Sequence, residues 1–378
     1  MRTVRAAAAA ATVAIAAGAA GIAAGRFASN AALKAPSGRP LPTEPRLTVH
    51  STAAGRITLT RALASLRPGV YGLSGDGSHA VVGPVLDSAP HAPDTVVRRL
   101  ERVTQGTLEP GDRAWLTPGL HIGDPGTALG LDHSDILVRG ELGALPAWFV
   151  PAFRDTWVIA VHGLGATREH PMNVMEFLHR HRFPVLDLAY RGDAGAPRPP
   201  DGLNHLGETE WRDVEAAIRY AVHHGAERVV LHGWSTGATM ALRTAVYSPL
   251  RGRISGLVLD SPVLDWEATL RALAAARRTP GALLPLAVRA AQGRTGRYGD
   301  RVHADHGPVD PDRLTVPTLV LHGPDDTVAP WGPSRRLAER RADLVTLHTV
   351  RGAPHGAMWN ADPTAYEEAL RRFLVPLM

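Results

Sequence analysis

The stretch RVVLHGWSTGATMALRTAV, residues 228–246, sets a strand-forming run directly against a helix-forming one, with Ser235 at the joint. A GxSxG pattern carries little weight by itself in a chain with 38 glycines. Its setting gives it meaning. A strand-serine-helix corner forces the serine into a strained backbone conformation, and small residues at Gly233 and Gly237 let strand and helix approach without clash. The hydroxyl is then presented at the sheet edge. The helix start adds free backbone N–H groups and a dipole end that favours negative charge.

Outward from this corner, apolar runs alternate with helical segments: WVIAVHG (157–163), FPVLDLAYRG (183–192), ISGLVLD (254–260), TVPTLVLHG (315–323) and VTLHTVRG (345–352). Near-continuous Val, Leu and Ile runs belong to strands covered on both faces, and alternation with helices makes the sheet mainly parallel. DILVRGELGALPAWFVPA (135–152) reads as a hairpin that leads into it. ETEWRDVEAAIRYAVHH (208–224) has helical spacing at Val214, Ala217, Ile218, Ala221 and Val222, and Asp362 and Pro363 start a last helix whose Tyr366, Leu370 and Phe373 share a face. The fold class is an open α/β sheet, in which ligands bind beyond the carboxyl ends of strands.

Those ends carry the remaining chemistry. A serine hydroxyl needs a base, and the base needs a group that holds its tautomer and steadies its positive charge. LVLHGPDDTVAP (319–330) ends one strand with Asp325 and Asp326, and VTLHTVRGAPHG (345–356) ends the next with His355. The chain order Ser, Asp, His is far more specific than the serine motif alone. VIAVHGLGATREH (158–170) ends an early strand at His162 and Gly163, so the backbone N–H groups of Leu164 and Thr236 are the expected pair of oxyanion donors. His162 is expected to order its loop. Asp260, at the end of ISGLVLD, is the reserve acid.

HGLG, GWSTG, GPDDTVAP and GAPHG together make residues 132–378 resemble the α/β-hydrolase superfamily, and within it the serine-aminopeptidase-like and lysophospholipase-like branch with a small lid. The resemblance implies an eight-stranded sheet with helices on both faces and a small helical lid at about 264–312, centred on DWEATLRALAAARRTPGALLPLAVRAAQG (265–293). In such families the acid lies three residues after the loop glycine and four before the proline. Gly323 and Pro330 therefore select Asp326. The catalytic set is Ser235, Asp326 and His355, with no metal and no cofactor.

The rest of the chain reads more simply. Arg2 and Arg5 precede an uncharged stretch, residues 6–25, that leads to Arg26. It is long enough for a bilayer core but mostly alanine and glycine, so residues 1–33 read as a signal or a membrane anchor. The expected location is the cell membrane, with the catalytic domain extracytoplasmic, or secretion. Residues 34–45 form a Pro-rich linker, and 46–131 a β-rich accessory region with strand-like runs LTVH, RITLT, HAVVGPVL and AWLTPG. The net charge of +5 is scattered among acids, as in RRLERV (98–103) and RRLAERRADL (335–344), which read as solvated helix faces and not as a nucleic-acid stripe. The absence of cysteine excludes thiol catalysis, disulfides and thiolate metal sites. HRHRF (179–183) and HADHGPVD (303–310) are weak metal candidates, and Arg191-Gly192-Asp193 reads as a loop ion pair.

The expected activity is a serine esterase or lipase-like enzyme acting on a small acyl ester. An exopeptidase on the same triad and a non-catalytic protein on a hydrolase scaffold are the alternatives. Lid residues Leu270, Leu273, Leu283, Leu284, Leu286 and Val288 are the expected acyl-pocket lining, while Asp265 and Glu267 are the lid acids a peptidase would use.

Overall fold

The computed structural model describes residues 44–377 apart from 54, 201, 203, 279–284 and 286–308. The N-terminal segment, the linker up to residue 43 and most of the expected lid lie outside the described residues, as does most of HADHGPVD. Among the described residues no helix is long and apolar enough to cross a membrane, and no group of three or more His, Asp or Glu is placed to hold a metal ion.

Eight strands form the main sheet, in the order β14-β13-β12-β11-β9-β10-β8-β7. β7 (Ser134–Arg139) and β8 (Ala144–Val150) form the expected hairpin, and β8 pairs antiparallel with β10 (Val185–Leu188). From there the sheet is parallel through β9 (Thr156–Val161), β11 (Arg228–Trp234), β12 (Ile254–Asp260), β13 (Thr318–His322) and β14 (Val345–Thr349). One face is packed by the helix Trp211–His223, whose Val214, Ala217, Ile218 and Ala221 sit in one core with Ile159, Leu231 and Leu259. The other is packed by the helix Met172–Arg180 and by Pro363–Leu374, which buries Tyr366 and Leu370. Asp362 caps that last helix, accepting from the Ala365 amide at 2.9 Å.

Residues 47–117 close on themselves as a six-stranded barrel, ordered β1-β2-β5-β4-β3-β6. Its strands are β1 (Leu47–Ala53), β2 (Arg56–Thr60), β3 (Tyr71–Gly75), β4 (His79–Val85), β5 (Thr95–Gln105) and β6 (Arg113–Thr117). The core is Val49, Ile57, Leu59, Leu73, Val82, Val96 and Leu116. RRLERV is not a helix face: it lies within β5, where Val96 and Val97 begin a strand paired on both sides, with β2 and β4. Pairing to two neighbours outweighs the helix tendency of Arg, Leu and Glu. RRLAERRADL does begin as a largely exposed helix, Trp331–Arg340.

Arg98, read as solvated, is fully buried. Its guanidinium donates to the carbonyls of Gly83 (2.9 Å), Ser65 (3.1 Å), Arg67 (2.7 Å) and Gly69 (2.8 Å), so it ties the β2–β3 loop to the barrel wall. Arg98→Leu would leave these acceptors unpaired. Equilibrium unfolding should show a loss of about 3 kcal/mol or more, whereas Arg99→Leu next door, exposed on the same strand, should change stability by less than about 0.5 kcal/mol.

Candidate active site

β11 ends at Trp234 and a helix spans Thr236–Tyr247, leaving Ser235 as the corner with φ 55° and ψ −118°. A non-glycine residue in this region is strained and persists only where its surroundings over-determine it. They do so here by close approach: a Cβ at Gly233 would collide with the backbone of Gly237, and one at Gly237 with the Val161 carbonyl of β9.

Ser235 Oγ lies 2.7 Å from His355 Nε2, and His355 Nδ1 lies 2.7 Å from Asp326 Oδ2. Because a carboxylate only accepts, the imidazole carries its proton on Nδ1 and Nε2 accepts from the serine hydroxyl. Asp326 is further held at Oδ1 by the amides of Val328 and Ala329, both at 2.8 Å. Burial opposes its charge, but the charges and hydrogen bonds of His355 and His322 outweigh that and hold it well below the usual carboxylate range. For His355, burial would lower the pKa, yet the Asp326 carboxylate, with smaller help from Asp260 and Glu44, raises it above 6.5. Asp325 points away, exposed, and accepts from the Gly352 amide at 2.8 Å.

Asp260 does not touch His355. It is fully buried, and burial pushes its carboxyl up to about 7; it accepts at 2.7 Å from the hydroxyl of Ser261, which in turn accepts from the Gly356 amide at 3.0 Å. That chain pins the loop just after His355. Of the expected oxyanion donors, Leu164 sits in the loop after β9 and shares the cavity of Ser235, and Thr236 opens the helix. His162, buried, lies 2.9 Å from Asp193, which also accepts from the Tyr190 amide, so this histidine orders the loop. Arg191 pairs with Asp213 and Glu141 instead of with Asp193.

His322 escapes sequence reasoning. Its ring is buried at the end of β13, with Nε2 3.0 Å from the same Asp326 Oδ2 that His355 uses and Nδ1 2.7 Å from Ser334 Oγ. The only signal was an HG dipeptide four residues before the acid, and HG also occurs at 162, 224, 232, 306 and 355.

Of the lid, the helix Trp266–Ala276 is described. Leu270 and Leu273 are buried against Leu206 and Val328 and do not line the cavity at Ser235. Asp265 caps the helix through the Ala268 amide, and Glu267 pairs with Arg271. Leu283, Leu284, Leu286 and Val288 lie outside the described residues.

A mainly parallel sheet presenting Ser, Asp and His beyond the ends of β11, β13 and β14, in that chain order, has the arrangement of an α/β-hydrolase fold. Comparison with known proteins agrees. Residues 156–279 match the family described as alpha/beta hydrolase fold, and residues 48–117 match a domain of unknown function, DUF8805. The human Protein ABHD12B is 27% identical over 234 residues, which is 57% of this chain and 59% of that protein, so the alignment spans well under two thirds of the relative. Crystal structures of the Pyrococcus furiosus esterase Pf2001 share the fold: one is 22% identical, covering 68% of this chain and 94% of that one, with a TM-score of 0.54. A second crystal form gives 21%, 67% and 95%, with a TM-score of 0.53. These likenesses place the α/β-hydrolase fold on residues 156–279 and on the sheet around them.

The geometry makes His322 a positioning residue for Asp326. His322→Leu should slow fluorophosphonate labelling of Ser235 by roughly tenfold, the effect of about 1.4 kcal/mol at the transition state, with Ser334→Ala acting in the same direction but less. Unchanged labelling in His322→Leu would show that the amides of Val328 and Ala329 suffice.

Proposed function

We propose that the chain is a serine hydrolase that cleaves carboxylic esters through an acyl-enzyme. The observation that carries this is the unbroken relay from Ser235 Oγ through His355 to Asp326, at 2.7 Å on each side of the imidazole. His355 Nε2 takes the hydroxyl proton as Ser235 Oγ bonds to the ester carbon, and the tetrahedral oxyanion is received by the amides of Leu164 and Thr236. The imidazolium, steadied by Asp326, then gives its proton to the departing alcohol oxygen as the carbon–oxygen bond breaks. Water repeats the sequence against the acyl-enzyme, releasing the acid and freeing Ser235. The esterase fold neighbours support ester hydrolysis at this site. Against an exopeptidase, the two glutamates at the cavity are already engaged: Glu44 pairs with Arg67 at 2.7 Å, and Glu169 accepts from the Gly123 amide and the Thr167 hydroxyl. The uncharged segment 6–25 is read as carrying this domain across a membrane, which protease protection of fractionated cells would test.

Ser235→Ala and His355→Ala should each lower kcat on p-nitrophenyl butyrate by on the order of 10⁶ while circular dichroism stays native. Substantial residual turnover in pure Ser235→Ala would sink the mechanism. The same enzyme should cleave p-nitrophenyl esters of short and medium acids much faster than aminoacyl nitroanilides.

The pH profile follows from His355, which must be neutral to act as base. Its pKa is raised, so kcat/KM should fall on the acid side with a midpoint above pH 6.5. Asp326→Asn removes the chief cause of that rise, so the midpoint should move to lower pH as kcat drops by about 10⁴. Asp325→Asn should leave both largely as they are. A reversed pair would assign the acid role to Asp325.

A further inference from the structure

Ser235 and His355 open into a cavity of about 720 Å³, whose floor is hydrolase and whose opposite wall is barrel. The hydrolase supplies the loop after β9, Trp234, Ser235 and His355. The barrel side supplies Ser74, Ser78, His79, Gln105 and Trp115, and His121 follows from the segment leaving β6. A volume of this size suits a whole small-molecule ligand.

The wall is fixed against the catalytic residues. The fully buried Asn360 side-chain amide donates to the carbonyls of Val70 and Pro118, both at 2.9 Å, and the Asn360 backbone carbonyl accepts from the Val70 amide. Asn173 donates to the Pro118 carbonyl at 2.8 Å and accepts from the Leu120 amide at 3.3 Å. Ala357, two residues after His355, is buried in the barrel's own apolar core. A Cβ at Gly69 would collide with the Asn360 carbonyl, so barrel and hydrolase meet backbone to backbone.

The reaction geometry decides which part of a substrate meets this wall. The departing alcohol oxygen must come to His355 Nε2, which protonates it, and the chain passes from His355 straight into the barrel contact. The alcohol half leaves beside His355, which lines the same cavity as the barrel residues, so the barrel wall is within its reach. The wall's chemistry is polar, and the charged groups at the cavity are engaged or balanced: Glu44 pairs with Arg67, and Glu169 accepts from the Gly123 amide and the Thr167 hydroxyl. His79 is held 2.6 Å from Thr104 Oγ1 and burial lowers its pKa; burial pushes His121, which makes no hydrogen bond of its own, down to about 4, so both rings are neutral at pH 7. Arg46 lies over the Trp115 ring, and Asp76 offsets its charge across the same cavity. Hydroxyl, amide and neutral imidazole groups offer both donors and acceptors, with a half-buried indole beside them.

We infer that the barrel is the leaving-group half of the active site and selects esters of an uncharged, hydroxyl-rich alcohol such as a sugar. The inference rests on the esterase reading, and its test separates the two. Methyl 6-O-butyrylglucoside, ethyl butyrate and butyrylcholine share one acyl group and differ in the alcohol. The wild-type protein should prefer the glucoside ester. In Trp115→Ala and His121→Leu, the ratio of kcat/KM for the glucoside ester to that for ethyl butyrate should fall about tenfold, mostly through KM for the former, a loss of about 1.4 kcal/mol of alcohol-specific binding. Arg99→Ala, on the outer surface of β5, should keep the wild-type ratio, and thermal melting checks that each variant stays folded. If p-nitrophenyl butyrate and fluorophosphonate both fail to react with wild-type protein, the esterase reading falls. If they react but the ratio is the same in every variant, the barrel wall plays no part in selection. A wild-type preference for butyrylcholine would overturn the neutral-alcohol class.

Discussion

The corner at Ser235 depends on how closely three backbones pack. β11, the helix that follows it and β9 meet where Gly233 and Gly237 carry no Cβ, and that contact holds Ser235 at a positive φ it would otherwise leave. The loop after β9 also comes close here, since a Cβ at Gly163 would collide with the Ser235 side chain. Packing of the central strands, and not any feature of the serine itself, therefore lifts the hydroxyl out of the sheet. The strain is sustained because β11 is fixed on both edges, by β9 and β12.

Burial then gives two nearby carboxyls opposite characters. Asp326 and Asp260 are both largely removed from water, but Asp326 receives four hydrogen bonds, two from amides and two from imidazoles, and stays ionised. Asp260 has only hydroxyl neighbours, Ser261 at 2.7 Å and Tyr366, which do not offset its burial, and its carboxyl is pushed up to about 7. Desolvation without compensating donors favours the neutral acid. This is why the reserve acid is unsuited to stabilising an imidazolium while the acid-loop aspartate is suited, although both end neighbouring parallel strands.

The sheet was legible because its signals are local. Apolar runs of strand length, a helix period at Val214 to Ala221 and the capped Pro363 helix each announce themselves within a few residues. The residues proposed as the catalytic set could be picked out because each sits just past such a run. What escaped depends on contacts distant in sequence. β5 reads as helical until β2 and β4 pair with it, and Arg98 reads as solvated until carbonyls from residues 65, 67, 69 and 83 converge on it. The HG dipeptides at 162, 232 and 322 look alike, yet His162 meets Asp193, His232 lies 3.0 Å from Tyr366 Oη, and His322 meets Asp326. Their partners lie 31, 134 and 4 residues away, so no spacing rule tells them apart.

The barrel's position follows from the same long-range logic. Its contacts with the hydrolase run through Asn360, Asn173 and Ala357, and two of these lie within five residues of His355 in the chain. The histidine loop is thus held from two directions: Ser261 grips the Gly356 amide from the sheet side, while Ala357 is inserted into the barrel core. A loop pinned at consecutive residues by two separately closed cores has little freedom to carry His355 away from Ser235. Loss of barrel packing would release one of those constraints directly beside the base, so the barrel's fold and the geometry of the relay are physically coupled even though no barrel side chain belongs to the relay.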